Sequence, residues 1–299
     1  MSNDKAEEAD DVCASCGITA GDDIKLKKCT ACKHVQYCSV LCQKEHRPQH
    51  KRACKRWAAE LRDEILFKQP ESTHFGDCPI CFLPLSYDVD NMSISSCCSK
   101  MICDGCVHAE RLRQEKEGLP NKCPFCRHLT PATQAKSDMD VMKRVESNDP
   151  VAIREVGLKY MVREKNCSKA LEYWTKAAEL GDIEAHYLIS NMYALGHGVE
   201  KDEKKAVYYS EIAAIGGHPR ARYNLAVIDV QSGRFERAHK HLIIAASLGY
   251  EGALDYLKTG FKNGYVSKED FEAALRGYQA AIEATKSPQR TAAKEAEYI

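Results

Sequence analysis

Beyond about residue 140, apolar and polar positions follow a helical period, in blocks punctuated by glycine. The block ALEYWTKAAELGD (170–182) returns as AVYYSEIAAIGGH (206–218) and again as RAHKHLIIAASLGY (237–250). Ala177 and Ala178 recur as Ala213 and Ala214, then as Ala245 and Ala246, at offsets of 36 and 32 residues. Between these blocks stand EAHYLISNMYALGHG and RARYNLAVIDVQSG, each ended by glycine. Small alanines let paired helices approach closely, Tyr187, Leu188, Tyr223 and Leu225 fill the seam, and Gly181, Gly217 and Gly249 suit a left-handed cap. The pattern predicts an all-α helical-repeat solenoid. Nearer the start, a helical connector from Trp57 to Phe67 is ended by Pro70, and VHAERLRQEKEG (107–118) forms a second short helix stopped by Gly118 and Pro120.

Cysteine divides the chain more sharply than hydropathy does. Fifteen of the sixteen cysteines lie between Cys13 and Cys126. The sixteenth, Cys167, stands at a turn between helices with no His or Asp motif beside it, which makes it an incidental thiol rather than a nucleophile. A first block pairs Cys13 with Cys16, Cys29 with Cys32, Cys38 with Cys42, and His50 with Cys54. Each pair offers half of a tetrahedral site, so the block implies two Zn²⁺ ions. Two intervening residues suit a tight turn, whereas three put both ligands on one helical face. A second block reads Cys78-Pro-Ile-Cys81, Cys97-Cys98, Cys103-x2-Cys106 and Cys123-Pro-Phe-Cys126, eight thiols for two more ions. A disulfide framework is the competing reading. It asks for export, and the chain opens MSNDKAEEADD, without a basic stretch leading into an apolar one. The expectation is therefore a reducing compartment, cytoplasmic or nuclear, and metal rather than disulfides.

Charge adds little direction. The 43 basic and 43 acidic residues balance, which gives no global field toward nucleic acid or an anionic membrane. Residues 1–11 carry five acids against Lys5 and read as a disordered tail. Residues 13–56 hold ten Lys or Arg against three acids; bound thiolates and zinc leave about +4, a modest basic face with sparse aromatics that speaks against nucleic-acid binding. No apolar run approaches the roughly eighteen residues of a membrane helix, so no membrane insertion is expected.

The first block, with Tyr37 before Cys38, Gln43 after Cys42 and Lys51 after His50, resembles the MYND-type zinc finger. That resemblance implies interleaved sites: Cys13, Cys16, Cys38 and Cys42 on one ion, Cys29, Cys32, His50 and Cys54 on the other. His46 is then left over, either as an alternative ligand or as a solvated helix histidine. The second block resembles a RING finger, which implies that Cys78, Cys81, Cys103 and Cys106 share one ion and that Cys98, Cys123 and Cys126 contribute to the other. The usual fourth ligand falls on Lys100, which cannot serve while protonated. Cys97 is the nearest substitute, ahead of His108 and His128. In RING ligases the positions of Ile80, Pro124 and Arg127 contact the ubiquitin-conjugating enzyme. LGHGVEKDEKKAVYYSEIAAIGG resembles the Sel1-like repeat, a relative of the tetratricopeptide repeat, through Gly196, Gly198, Val199, Asp202, Lys205, Ala206, Tyr208 or Tyr209, Ala213 and Ala214.

The expected plan is multidomain: two small cross-braced zinc modules with little regular structure, then the solenoid. Its boundaries are an acidic tail (1–11), a MYND-like finger (12–56), a connector (57–69), a RING-like module (75–130), a linker (131–147), Sel1-like repeats (148–285) and a flexible tail (286–299). With every zinc position filled by protein, no water is activated, and no catalytic residue is assigned. Glycine-rich phosphate loops are absent. Two functions follow: an adaptor that binds proteins or peptides through finger and repeats, or a RING-type ubiquitin ligase that positions a charged conjugating enzyme while the repeats recruit substrate.

Overall fold

The computed structural model describes residues 11–88 and 91–297, in two units divided after Lys68. The acidic residues 1–10 lie outside the described residues. In the first unit a two-residue antiparallel pair, β1 (Lys27–Lys28) and β2 (Gln36–Tyr37), precedes helix α1 (Val40–Leu66). Ser39 caps α1 by accepting from the Cys42 N–H at 3.1 Å. The helix runs straight through the boundary expected at residue 57. Its sequence is rich in Ala, Lys, Arg, Glu and Leu, and Pro48 inside it removes only one backbone donor. Trp57 consequently belongs to the finger. It stacks on His34 with ring centroids 4.9 Å apart and packs on the cluster of Cys13, Cys29, Cys32 and Tyr37.

The second unit begins with the second cysteine-rich module. Strands β3 (Met92–Ile94) and β4 (Met101–Cys103) form an antiparallel hairpin that leads into α2 (Asp104–Glu117). Gly118 closes α2 in the left-handed conformation, φ 63°. Buried Gln114 ties α2 to the next loop: its amide donates to the Lys122 carbonyl and its oxygen accepts from the Lys122 N–H, both at 3.1 Å.

The stretch expected as a linker is helical. Thr133 caps α3 (Gln134–Glu146), and Lys159 of the next helix holds Asp138 at 2.8 Å. Four helix pairs follow: α4 (Pro150–Val162) with α5 (Cys167–Glu179), α6 (Ile183–Leu195) with α7 (Glu203–Ile215), α8 (Pro219–Gln231) with α9 (Phe235–Ser247), and α10 (Glu251–Lys262) with α11 (Lys268–Ala284). The repeated alanines sit in the seams, with Ala177, Ala213, Ala214, Ala245 and Ala246 buried. Gly181, Gly217 and Gly249 have φ of 91°, 85° and 83°, where a Cβ would be strained. Tyr187 and Leu225 are buried, and Leu188 and Tyr223 pack against two of the solenoid's cores. The residues after 285, expected as a tail, form α12 (Pro288–Glu297), which packs on α2.

The second cysteine-rich module lies along one edge of the solenoid, where α6, α8 and α10 begin. The His74 N–H donates to the Gly217 carbonyl at 3.2 Å. The His74 ring stacks on His218, the cap of α8, with centroids 4.4 Å apart, and Tyr87 meets Tyr250, the cap of α10, edge-on at 5.6 Å.

Candidate metal centres

Four Cys-x-x-Cys turns share one backbone geometry. The residue after each second cysteine, Gly17, Lys33, Phe82 and Arg127, has φ of 73°, 59°, 57° and 63°. Its N–H donates to the carbonyl of the first cysteine, Cys13, Cys29, Cys78 or Cys123, at 2.9–3.0 Å. The first cysteine in turn donates to Ile18, Val35, Leu83 or His128 at 2.7–3.0 Å. The turn brings backbone N–H groups onto the first sulfur. Burial alone would raise the Cys13 and Cys29 thiols, but donors from Cys16 and Cys38, and from Cys32 and Ala31, bring both down to about 6. The same opposition holds Cys78 and Cys123 near 7. The turn thus favours the thiolate at its first cysteine, whereas Cys16, the second cysteine of the first turn, is pushed up.

The turns are brought together in an interleaved order. Cys13, Cys16, Cys38 and Cys42 form one group, and Cys29, Cys32, His50 and Cys54 a second. Cys78, Cys81, Cys103 and Cys106 form a third, and Cys97, Cys98, Cys123 and Cys126 a fourth. Within each group the ligand atoms lie within 4.8 Å of one another. A tetrahedron with Zn–S bonds of about 2.3 Å has sulfur edges of about 3.8 Å. The sulfurs of Cys16 and Cys38, Cys29 and Cys54, Cys81 and Cys103, and Cys98 and Cys123 stand 3.6, 3.8, 3.8 and 3.9 Å apart. Cys97 and Cys126 are closer, at 3.3 Å. No cysteine forms a disulfide. Donor type, number and spacing all fit Zn²⁺, and each set is complete, the signature of a structural rather than a catalytic site.

The leftover candidates fall outside the groups. His46 Nδ1 is hydrogen-bonded to the Tyr37 hydroxyl at 3.0 Å, and its ring stacks on His50. His108 faces Arg111 and His128 faces Asp140. Lys100 is exposed, and its carbonyl accepts from the Ser95 N–H. Of the three positions aligned with conjugating-enzyme contacts, Ile80 is half-buried against the module's core and Pro124 half-exposed. Arg127 is paired with Glu110. Arg113, then Gln114 and Arg127, hold the Glu110 carboxyl down at about 2.

A fifth cluster had no sequence signal, because its members lie far apart in the chain. His74, Glu184 and His218 converge within 4.8 Å. Nδ1 of His218 accepts the Ala221 N–H at 3.1 Å, which leaves the proton on Nε2. That Nε2–H donates to Glu184 Oε2 at 3.1 Å, and His74 Nε2 donates to the same oxygen at 2.8 Å. A protonated nitrogen cannot ligate a metal, so this cluster is a hydrogen-bonded latch.

Among the described residues no helix is long and apolar enough to cross a membrane. No curated protein sequence matches the chain. Among solved structures it is similar to a Sel1 repeat protein from Oxalobacter formigenes, at 29% identity over 53% of this chain and 67% of that one, TM-score 0.45. A protective antigen of uropathogenic Escherichia coli with an SLR fold matches at 25% identity over 50% of this chain and 33% of that one, TM-score 0.41. The immunity protein PA5088 from Pseudomonas aeruginosa matches at 18% identity over 57% of this chain and 87% of that one, TM-score 0.32. This chain spans only about a third of the E. coli protein. Residues 13–54 match the MYND finger family, while 154–182, 183–218 and 219–250 each match the Sel1 repeat. The chain thus carries a MYND finger whose matched residues hold the first two ligand groups, and three Sel1 repeats that form the first three helix pairs of its solenoid.

Proposed function

We propose that the chain is a zinc-dependent adaptor that holds one protein partner on its MYND finger and another on its Sel1 solenoid, with zinc in all four ligand groups. The observation that carries this reading is closure. Each zinc position is filled by four protein donors, so the modules present surfaces instead of chemistry. The solenoid edge where α6, α8 and α10 begin is already occupied by residues 72–87 of the same chain. A partner therefore has the opposite edge and the helix faces, where Leu195, Tyr208 and Tyr265 are exposed. The test is affinity capture with the full chain, with a double Cys29→Ser, Cys32→Ser variant, and with a Leu195→Glu, Tyr208→Glu variant. Each variant should lose a different subset of captured proteins. Retention of every partner by both variants would refute the adaptor.

A RING-type ubiquitin ligase is the second reading. It is favoured by the cross-braced order of the third and fourth ligand groups, in which Cys97 supplies a fourth thiol where Lys100 falls. Ile80 and Pro124 would seat the conjugating enzyme, and Arg127 would have to leave Glu110 to reach it. Ubiquitin chain formation with a charged conjugating enzyme tests this, with Ile80→Ala and Arg127→Gly as controls. Glycine keeps the left-handed turn while removing the side chain. Absence of chain formation, or activity indifferent to both changes, would rule out the mechanism.

A further inference from the structure

Arg290 lies 209 residues beyond Cys81, in a stretch whose sequence shows no ligand motif. In the structure it enters the third ligand group. Its Nη2 donates to Cys81 Sγ at 3.6 Å and to the Leu83 carbonyl at 3.2 Å. Nη1 donates to the Pro84 carbonyl at 2.7 Å and to Thr285 at 2.8 Å. The guanidinium also favours the thiolate of Cys103, whose sulfur is 3.8 Å from that of Cys81, against the burial that raises it. One side chain thus bonds a ligand sulfur and the turn that aims it.

The surroundings are shaped for this approach. Gly105 sits in the first turn of α2, and a Cβ there would lie 2.7 Å from the Arg290 backbone nitrogen. Only a glycine admits α12 so close. Ala293, three residues further along α12, is buried. A four-thiolate zinc site carries a net charge of about −2, so a permanently charged guanidinium against the Cys81 sulfur neutralises charge and holds a sulfur lone pair. Cys81 is the half-buried member of a group whose other three sulfurs belong to buried residues. Arg290 lies against that accessible ligand.

We propose that Arg290 is the outer-shell positioning residue of the third zinc site, so that docking of α12 locks the metal in place and the C-terminal helix is part of the second zinc module. The inference rests on zinc occupying Cys78, Cys81, Cys103 and Cys106. Outer-shell partners of metal ligands are typically worth roughly 10–100-fold in metal affinity.

The test follows zinc release from the full-length, zinc-loaded chain into a chromogenic chelator. Loss of one equivalent from a Cys78→Ser, Cys81→Ser variant first establishes that the third group holds zinc; no loss would overturn both that assignment and this inference. Arg290→Met should then release one equivalent at least tenfold faster than the parent, and Arg290→Lys should restore part of the retention. Ala293→Glu, which undocks α12 with Arg290 still present, should behave like Arg290→Met. With cobalt in place of zinc, Arg290→Met should shift the thiolate-to-metal charge-transfer band, as loss of a hydrogen bond to sulfur requires. Release unchanged in Arg290→Met, or accelerated only together with loss of solenoid helicity by circular dichroism, would overturn the proposal.

Discussion

The residue that follows each Cys-x-x-Cys turn carries a cost that three of the four turns bear in full. Gly17 adopts its positive φ freely, whereas Lys33, Phe82 and Arg127 do so as residues with a Cβ. Lys33 is exposed, so Lys33→Gly should relieve strain without removing packing. Left-handed backbone costs an L-residue roughly 1–2 kcal/mol, offset in part by the extra chain entropy of glycine, for a net gain of up to about 1 kcal/mol. A rise in the urea midpoint of the zinc-loaded chain is the expected result, and a fall would show that the Lys33 side chain contributes more than its strain. Lys33→Val should move the midpoint down, since branching at Cβ makes the same φ harder to reach. The ligand pairs were readable from spacing alone, because thiols two residues apart have few other uses in a reduced chain. The shared φ after each pair was not, since Lys, Phe and Arg give no hint of a left-handed turn. Arg127 illustrates the ambiguity: its position is dictated by the turn, whatever its side chain goes on to do.

Elements were legible where they repeat and obscure where they stand alone. The alanine pairs and terminal glycines marked the seams and stops of the solenoid, because close helix approach and left-handed caps leave few residue choices. The fourth pair, α10 and α11, lies beyond the matched Sel1 residues and packs differently, with α11 set chiefly against α9 rather than against α10. Helices α3 and α12 were missed: each is polar and stands outside the repeat, and α3 docks on α4 and α12 on α2. Close approach also explains Cys167, where a Cβ added at Gly198 would fall 2.2 Å from the Cys167 Cβ. Gly198→Ala should therefore cost about 1–3 kcal/mol in urea unfolding, from overpacking plus a φ of 73°. A loss below about 0.5 kcal/mol, within the range of ordinary surface changes, would count against this contact. The latch between His74 and the solenoid carries a pH dependence. Burial pushes the His74 imidazole below its ordinary 6.5, with Glu184 opposing and His218 and Arg154 reinforcing. The undocked segment then binds the proton more readily than the docked one, so docking weakens as pH falls below 6.5. Glu184, held low by His218 and His74 against its own burial, stays charged through this range. The protection of residues 72–76 against hydrogen exchange, taken relative to the intrinsic rate at each pH, should fall between pH 7.5 and 5.5 in the parent and change less in His74→Gln. Equal pH dependence in both would exclude His74 as the source.

At the scale of the whole molecule, two kinds of stabilisation divide the chain, and they should separate when metal is withdrawn. Each cysteine-rich module has cysteine sulfurs at the centre of its core: Cys13, Cys29 and Cys32 around Tyr37 in one, Cys78, Cys103, Cys106 and Cys123 around Ile102 and Leu85 in the other. Domains this small bury too little apolar surface to offset chain entropy, and structural zinc supplies about 10 kcal/mol or more where it binds. The solenoid cores contain no ligand. Ile153, Trp174, Ile189 and Met192 close one, and Leu242, Leu257 and Val266 another. A chelator strong enough to strip the chain should thus remove the ordered environment of Trp57, which packs on the first module's cysteines, while leaving that of Trp174, buried in a solenoid core. These are the chain's only two tryptophans, so the separation can be read directly. In a Trp57→Phe variant the fluorescence should barely change on chelation and should report a single later unfolding of the solenoid in urea. In a Trp174→Phe variant it should change with zinc loss. Metal analysis of the parent should give four ions per chain, and Cys97→Ser should leave three. If chelation alone exposed Trp174, the solenoid would depend on the zinc module docked along its edge, and the two kinds of stabilisation would be one.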